Sequence, residues 1–135
     1  MNPSEAHQAL ILVVERDPHV RELEAYFLEE AGYSVEFSAD GISALNRIRE
    51  IHPDILITEI LVPRLDGLAL CRKLKADAAT RDIAVLVFSI LMAAGRAREA
   101  GADAFLRKPL VESRLVDTVR ELLEARTTSP AKESA

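Results

Sequence analysis

Short runs rich in Val, Ile and Leu recur at Leu10 to Val14, Ile55 to Thr58 and Ile83 to Phe88. None alternates with polar residues, so each predicts a strand covered on both faces, as in a parallel sheet sandwiched by helices. Ser34 to Ser38 alternates polar and apolar side chains and predicts a strand at a sheet edge. A weaker run, Ala102 to Leu106, follows Gly101.

Between these runs the apolar positions recur at helical spacing. Val20, Leu23, Phe27 and Ala31 form one stripe, with Glu22, Glu29 and Glu30 on other faces. Asp17 and Pro18 supply a start, as N-cap and first helical residue, and Gly32 supplies a stop. Ile42, Leu45, Ile48 and Ile51 mark a second helix ended by Pro53. Leu68, Leu70, Cys71 and Leu74 mark a third, opened by a turn at Asp66 and Gly67. Val111, Leu115, Val119, Leu122 and Leu123 mark the last, while alanine-rich Leu91 to Ala100 carries only a short helix signal.

The order is β-α-β-α-β-α-β-(α)-β-α, which predicts a doubly wound α/β sandwich with right-handed crossovers. In such sheets a ligand site lies beyond the carboxyl ends of the strands. That rule brings Glu15, Arg16, Glu59, Ser89 and Lys108 to one edge. It makes them neighbours without assigning them a task.

Composition narrows the classes. A chain of 135 residues, 49% hydrophobic and 29% charged, suits one soluble domain with a real core. A net charge of −5 argues against a broad nucleic-acid surface. Cys71 is the single cysteine, which excludes an internal disulfide and fits a buried thiol in a reducing cytoplasm. No apolar run approaches the ~20 residues of a membrane span, and the N-terminus does not read as a secretory signal. Residues 1–8 are expected to be an extension, 9–125 the domain, and 126–135 a flexible polar tail, not a linker. His7, His19 and His52 share no metal-ligand spacing, and GRAREAG at 95–101 is no dinucleotide fingerprint. Arg96, Arg98 and Arg107 read as a solvated basic face.

ILVVERDP at 11–18, ADGISAL at 39–45, DILITEILVPRLDG at 54–67, VLVFS at 85–89 and GADAFLRKP at 101–109 together resemble the receiver domain of bacterial two-component response regulators. The resemblance runs from about Leu10 to Leu123. It implies a flavodoxin-like (βα)5 sandwich with a five-stranded parallel sheet in the order 2-1-3-4-5. It also implies an aspartate phosphoacceptor after strand three, and a Mg²⁺ held by that aspartate and an acidic pair after strand one. A hydroxyl, a lysine and a switching aromatic complete the set. The metal neutralises charge, the hydroxyl and ammonium grip the phosphoryl oxygens, and the carboxylate attacks in line. Carried over by position, Ser89 and Lys108 are the switch hydroxyl and lysine, Phe105 is the switch aromatic, and Glu15 is the first acid of the pair. Pro109 is expected to follow a cis bond, as in the family.

Two positions depart from that pattern. Glu59 stands at the phosphoacceptor position, and Arg16 replaces the second acid. An ordinary site gathers three carboxylates and one lysine, which asks for a divalent cation. Here Glu15 and Glu59 are offset by Arg16 and Lys108, and Arg16 would repel a metal, so Mg²⁺ binding is expected to be lost or very weak. Glutamate is also longer than aspartate, and a misplacement of about 1 Å can cost in-line attack roughly a hundredfold. An arginine fork suits a carboxylate, which makes Arg16 a candidate partner for Glu59. Either Glu59 imitates the phosphorylated state, or Arg16, Glu59 and Lys108 form an ion network that holds a vacated pocket closed; both readings stand at this point. A third departure is the 19-residue step from Ser89 to Lys108, shorter than the family's by about three residues, close to one helical turn. It is expected to shorten the fourth helix.

The expectation is therefore a stand-alone pseudo-receiver with no catalytic residue, no cofactor and no enzymatic activity. It would act in trans on a protein partner, a histidine kinase or another signalling protein, in a bacterial cytoplasm. It would contact neither nucleic acid nor membrane, and would present the fourth helix, last strand and last helix as a homodimer face. The alternatives are a working phosphoacceptor in a phosphorelay and a small-ligand sensor at the sheet edge.

Overall fold

The computed structural model describes residues 8–128. Most of the expected extension, His7, and the tail beyond residue 128 lie outside the described residues. In chain order the elements are β1 (Leu10–Val14), α1 (Pro18–Glu30), β2 (Ser34–Ser38), α2 (Gly41–Ile51), β3 (Ile55–Thr58), α3 (Gly67–Ala76), β4 (Ala84–Ser89), α4 (Ala94–Glu99), β5 (Ala104–Arg107) and α5 (Glu112–Thr128). All strand pairings are parallel, in the order β2-β1-β3-β4-β5. The fold is the doubly wound sandwich that the apolar pattern predicts.

The strands that read as unbroken apolar runs, β1, β3 and β4, lie in the middle of the sheet, and the alternating β2 lies at an edge. Successive side chains point to opposite faces, so each central strand feeds two cores. Leu12, Val14, Leu56, Val85 and Val87 pack with α2, α3 and α4 on one side. Ile11, Val13, Ile57, Leu86 and Phe88 pack with α1 and α5 on the other. Cys71 is buried in the first core, where burial pushes its thiol up to about 11.

Asp17, Asp40 and Asp66 each cap a helix by accepting from a backbone N–H two or three residues on. Gly32 turns the chain out of α1 with φ 99°. Three boundaries differ from expectation. β4 and β5 begin one and two residues later than their apolar runs. α5 runs past position 125 to Thr128, because Arg126 is tied to Asp54 by bonds of 2.7 Å to its carbonyl and 3.2 Å to its carboxylate. α4 has only 6 residues and no side-chain cap, in keeping with the short step from Ser89 to Lys108.

The expected α1 stripe is rotated. Leu23 is 48% exposed and Ala31 is exposed, whereas Leu28 and Glu24 are buried. The inward face follows Val20, Glu24 and Leu28 at steps of four, and it carries a carboxyl that an apolar stripe would not admit.

Candidate functional site

The sheet ladder continues one residue past three strand ends and thereby sets the site. The Glu15 N–H donates to Ser38 O at 3.1 Å, the Glu59 N–H to Val14 O at 3.0 Å, and the Lys108 N–H to Ser89 O at 2.8 Å. Each polar residue is thus held at the carboxyl edge by the last rung of its own strand. The peptide between Lys108 and Pro109 is cis.

The side chains converge. Lys108 Nζ donates to Glu15 Oε1 at 2.7 Å and lies 3.5 Å from Glu59 Oε1. It also stands 5.5 Å above the Phe88 ring, a cation–π distance. Glu15 and Glu59 are only 2% and 4% exposed. The second Glu15 oxygen accepts from the Asp17 N–H at 3.1 Å. Glu59 bridges two loops: Oε2 accepts from the Ile60 N–H of its own loop at 2.6 Å, and Oε1 from the Ile90 N–H of the loop after β4 at 3.2 Å. Both buried carboxylates therefore have protein donors on both oxygens.

Gly67 makes the Glu59 placement possible. A Cβ at Gly67 would overlap the Glu59 carbonyl oxygen, and the Gly67 N–H donates to Ile60 O at 2.9 Å. The first turn of α3 is pressed against the loop that carries Glu59, and only glycine permits that approach.

Ser89 is fully buried, and its Oγ accepts from the Leu91 N–H at 3.1 Å, so it serves the loop after β4. Phe105 is half-buried against the α3–α4 core, opposite Val87 in the β4–β5 register. Arg16 corrects the sequence reading. It is exposed and makes no ion pair with Glu59. Ammonium and backbone donors already satisfy the carboxylates, and an arginine fork would have to be desolvated to join them. The buried charge is thus not neutralised by Arg16. Counted formally, Glu15, Glu59 and Lys108 leave one negative charge.

Glu24 is the residue that sequence reasoning missed. It is 1% exposed, and its Oε1 has no hydrogen-bond partner. Its carboxyl is raised from 4.5 to about 8, first by burial, then by Glu15, with Lys108 opposing and Glu59 adding to the rise. The signal was its place four residues from both Val20 and Leu28, on the inward stripe. The Ile90 N–H was invisible as a donor, since backbone direction does not show in residue type.

The resemblance implied Mg²⁺ at this edge. The residues present offer no ready ligand set for it: Glu15 and Glu59 turn toward Lys108, and the position of the second acid is a solvent-facing arginine. Among the described residues no three His, Cys, Asp or Glu side chains converge as a metal site. Among the same residues no helix is long and apolar enough to cross a membrane.

Residues 11–120 match the family model described as response regulator receiver domain. The chain is similar to the response regulator MprA of Mycobacterium tuberculosis, with 39% identity over 127 residues, 92% of this chain and 54% of that protein. It therefore spans about half the length of the curated relatives it matches. A putative response regulator from Chloroflexus aurantiacus has a solved structure that superposes with TM-score 0.83 at 32% identity, covering 87% of this chain and 98% of that one. The receiver domain of a signal transduction histidine kinase from Syntrophus aciditrophicus superposes with TM-score 0.82 at 37% identity, covering 87% and 91%.

Proposed function

The chain belongs to the response regulator receiver domain family, and on that premise we propose that it is a pseudo-receiver whose signalling state depends on neither phosphorylation nor Mg²⁺. A receiver domain works in two-component signalling.

One observation carries it. Glu59 is buried with its carboxylate accepting from the Ile60 and Ile90 N–H groups beside Lys108. A phosphoacceptor has to present an oxygen to an incoming phosphoryl group, with a metal and a lysine ready to take the added charge. Here the glutamate's own oxygens occupy the donors, and the lysine's shortest bond is to Glu15. The site is satisfied as it stands, and opening it would leave buried donors and charges unpaired.

The output is protein contact in the cytoplasm. Leu61, Ile90 and Met92 are exposed apolar side chains on the loops after β3 and β4, and Val111 adds a fourth after β5. Such a rim beside a closed charge cluster suits the docking of a protein partner, a histidine kinase or another signalling protein, without phosphoryl transfer. The short α4 leaves little helix for an output face with β5 and α5, the face through which a homodimer would form.

Intact mass after incubation with Mg²⁺ and acetyl phosphate tests the reading. No added phosphoryl group is expected. A gain of one that disappears in Glu59→Ala would establish the second reading, a working phosphoacceptor.

A further inference from the structure

Between α1 and α5, on one face of the sheet, runs a groove of about 230 Å³. Phe27, Ala31 and Val116 give it apolar contacts, while Glu30 stands on the α1 wall and Glu112 and Asp117 on the α5 wall. Asp117 is paired with Arg120 at 3.2 Å, whereas the Glu30 and Glu112 carboxylates have no partner among the described residues. α4 presents the reverse pattern. It and the residues flanking it bury Ala93, Ala97 and Ala100 against the other face of the sheet. At about 100° per residue, Gly95 then forms the outward ridge, and Arg96 and Arg98 leave on its two flanks. A Cβ at Gly95 would meet nothing, so the ridge is bare backbone between two guanidiniums. Neither guanidinium has a partner among the described residues. Met92, 80% exposed, stands just before the helix as an apolar knob. Glu99 is the one acid on the ridge, at the end away from Met92.

We propose that the α1–α5 groove binds the α4 segment of a second copy of this chain, with Met92 seated on Phe27 and Val116 and the two arginines reaching the acidic walls. The two surfaces match in charge and in outline. An apolar groove with acids on both walls meets an apolar knob and a bare ridge with a cation on each flank. Arginine suits the task, since its planar fork pairs with a carboxylate and is less strongly hydrated than an ammonium. Groove and ridge lie on opposite faces of one sheet, so a chain cannot close the contact on itself. The contact is heterologous, and copies add head to tail. A chain of net charge −5 repels its copies, so association depends on this local match and on ionic strength. Glu15, Glu59 and Lys108 take no part in it, and the inference does not rest on the pseudo-receiver reading.

Sedimentation velocity of the full chain over a wide concentration range tests it. At low salt the mass of the parent is expected to climb past the dimer as concentration rises. It should fall back to the monomer at about 1 M salt, where charges are screened beyond about 3 Å. Arg96→Ala with Arg98→Ala keeps the groove and discharges the ridge, and Glu30→Gln with Glu112→Gln does the reverse. Each double variant alone should be monomeric. An equimolar mixture of the two should stop at a one-to-one complex, the signature of a heterologous contact. Met92→Ser should weaken association at unchanged net charge, and Glu99→Gln should strengthen it. All these positions are exposed, so circular-dichroism melts should match the parent's and exclude misfolding. A parent that stays monomeric at millimolar concentration, a double variant that still associates as the parent does, or a mixture that is not one-to-one overturns the proposal.

Discussion

Lys108 is hydrogen-bonded to Glu15 at 2.7 Å, across 93 positions of sequence, and this bond is shorter than its 3.5 Å approach to Glu59. The lysine therefore ties the end of β5 to the end of β1, with Glu59 between them as a second, looser partner. Its side chain is 12% exposed, so the pair is largely removed from water. In that setting the cation is structural: it offsets two buried carboxylates.

Removing that cation should be expensive. Lys108→Met leaves Glu15 and Glu59 buried with no ammonium between them, which typically costs ~3–5 kcal/mol. Urea denaturation should show a midpoint lowered accordingly with little change in slope. An unchanged midpoint would mean that the backbone donors alone satisfy the two acids.

Arg16 makes the opposite prediction. Being exposed and unpaired with Glu59, Arg16→Ala should change stability by no more than about 0.5 kcal/mol. The double change Arg16→Asp with Glu59→Asp should produce Mg²⁺ binding detectable by calorimetry, while the parent chain gives no heat. Binding by the parent would contradict the reading of the site.

The Glu24 carboxyl sets a direction for stability against pH. Its folded value is raised from 4.5 to about 8, so between those values the folded chain holds a proton that the unfolded chain has released. The associated stability is complete below about pH 4.5 and is lost progressively as pH climbs to about 8. Each tenfold step in proton affinity is worth about 1.4 kcal/mol, so the whole loss is on the order of a few kcal/mol. Thermal melts of Glu24→Gln should be flatter than the parent's across that window.

Gly67 is a packing constraint on Glu59. Gly67→Ala places a Cβ onto the Glu59 carbonyl oxygen and should cost about 1–3 kcal/mol, the usual penalty of overpacking. The Ile90 amide resonance should move as well, since its acceptor is the Glu59 carboxylate. Gly95, where a Cβ meets nothing, serves as the control.

The linear pattern determined the architecture of this protein and the edge at which its polar residues gather. Unbroken apolar runs demand cover on both faces, and Asp17, Asp66 and Gly32 act on the backbone beside them, so β1, β3, β4 and the starts of α1 and α3 were legible from neighbouring residues alone. The same local logic put Glu15, Glu59, Ser89 and Lys108 together. Which of them touch was decided only by tertiary structure. Arg16 and Glu59 were natural partners by charge, but the fold aims the Ile90 N–H and Lys108 at Glu59 first and leaves the arginine in water. Leu23 looked inward by hydrophobicity, but the face of α1 that packs on the sheet follows Val20, Glu24 and Leu28, and Leu23 is left half-exposed. Spacing along a chain fixes which side chains share a face, whereas the pairing of buried charges depends on distances and donor directions that exist only once the strands lie side by side.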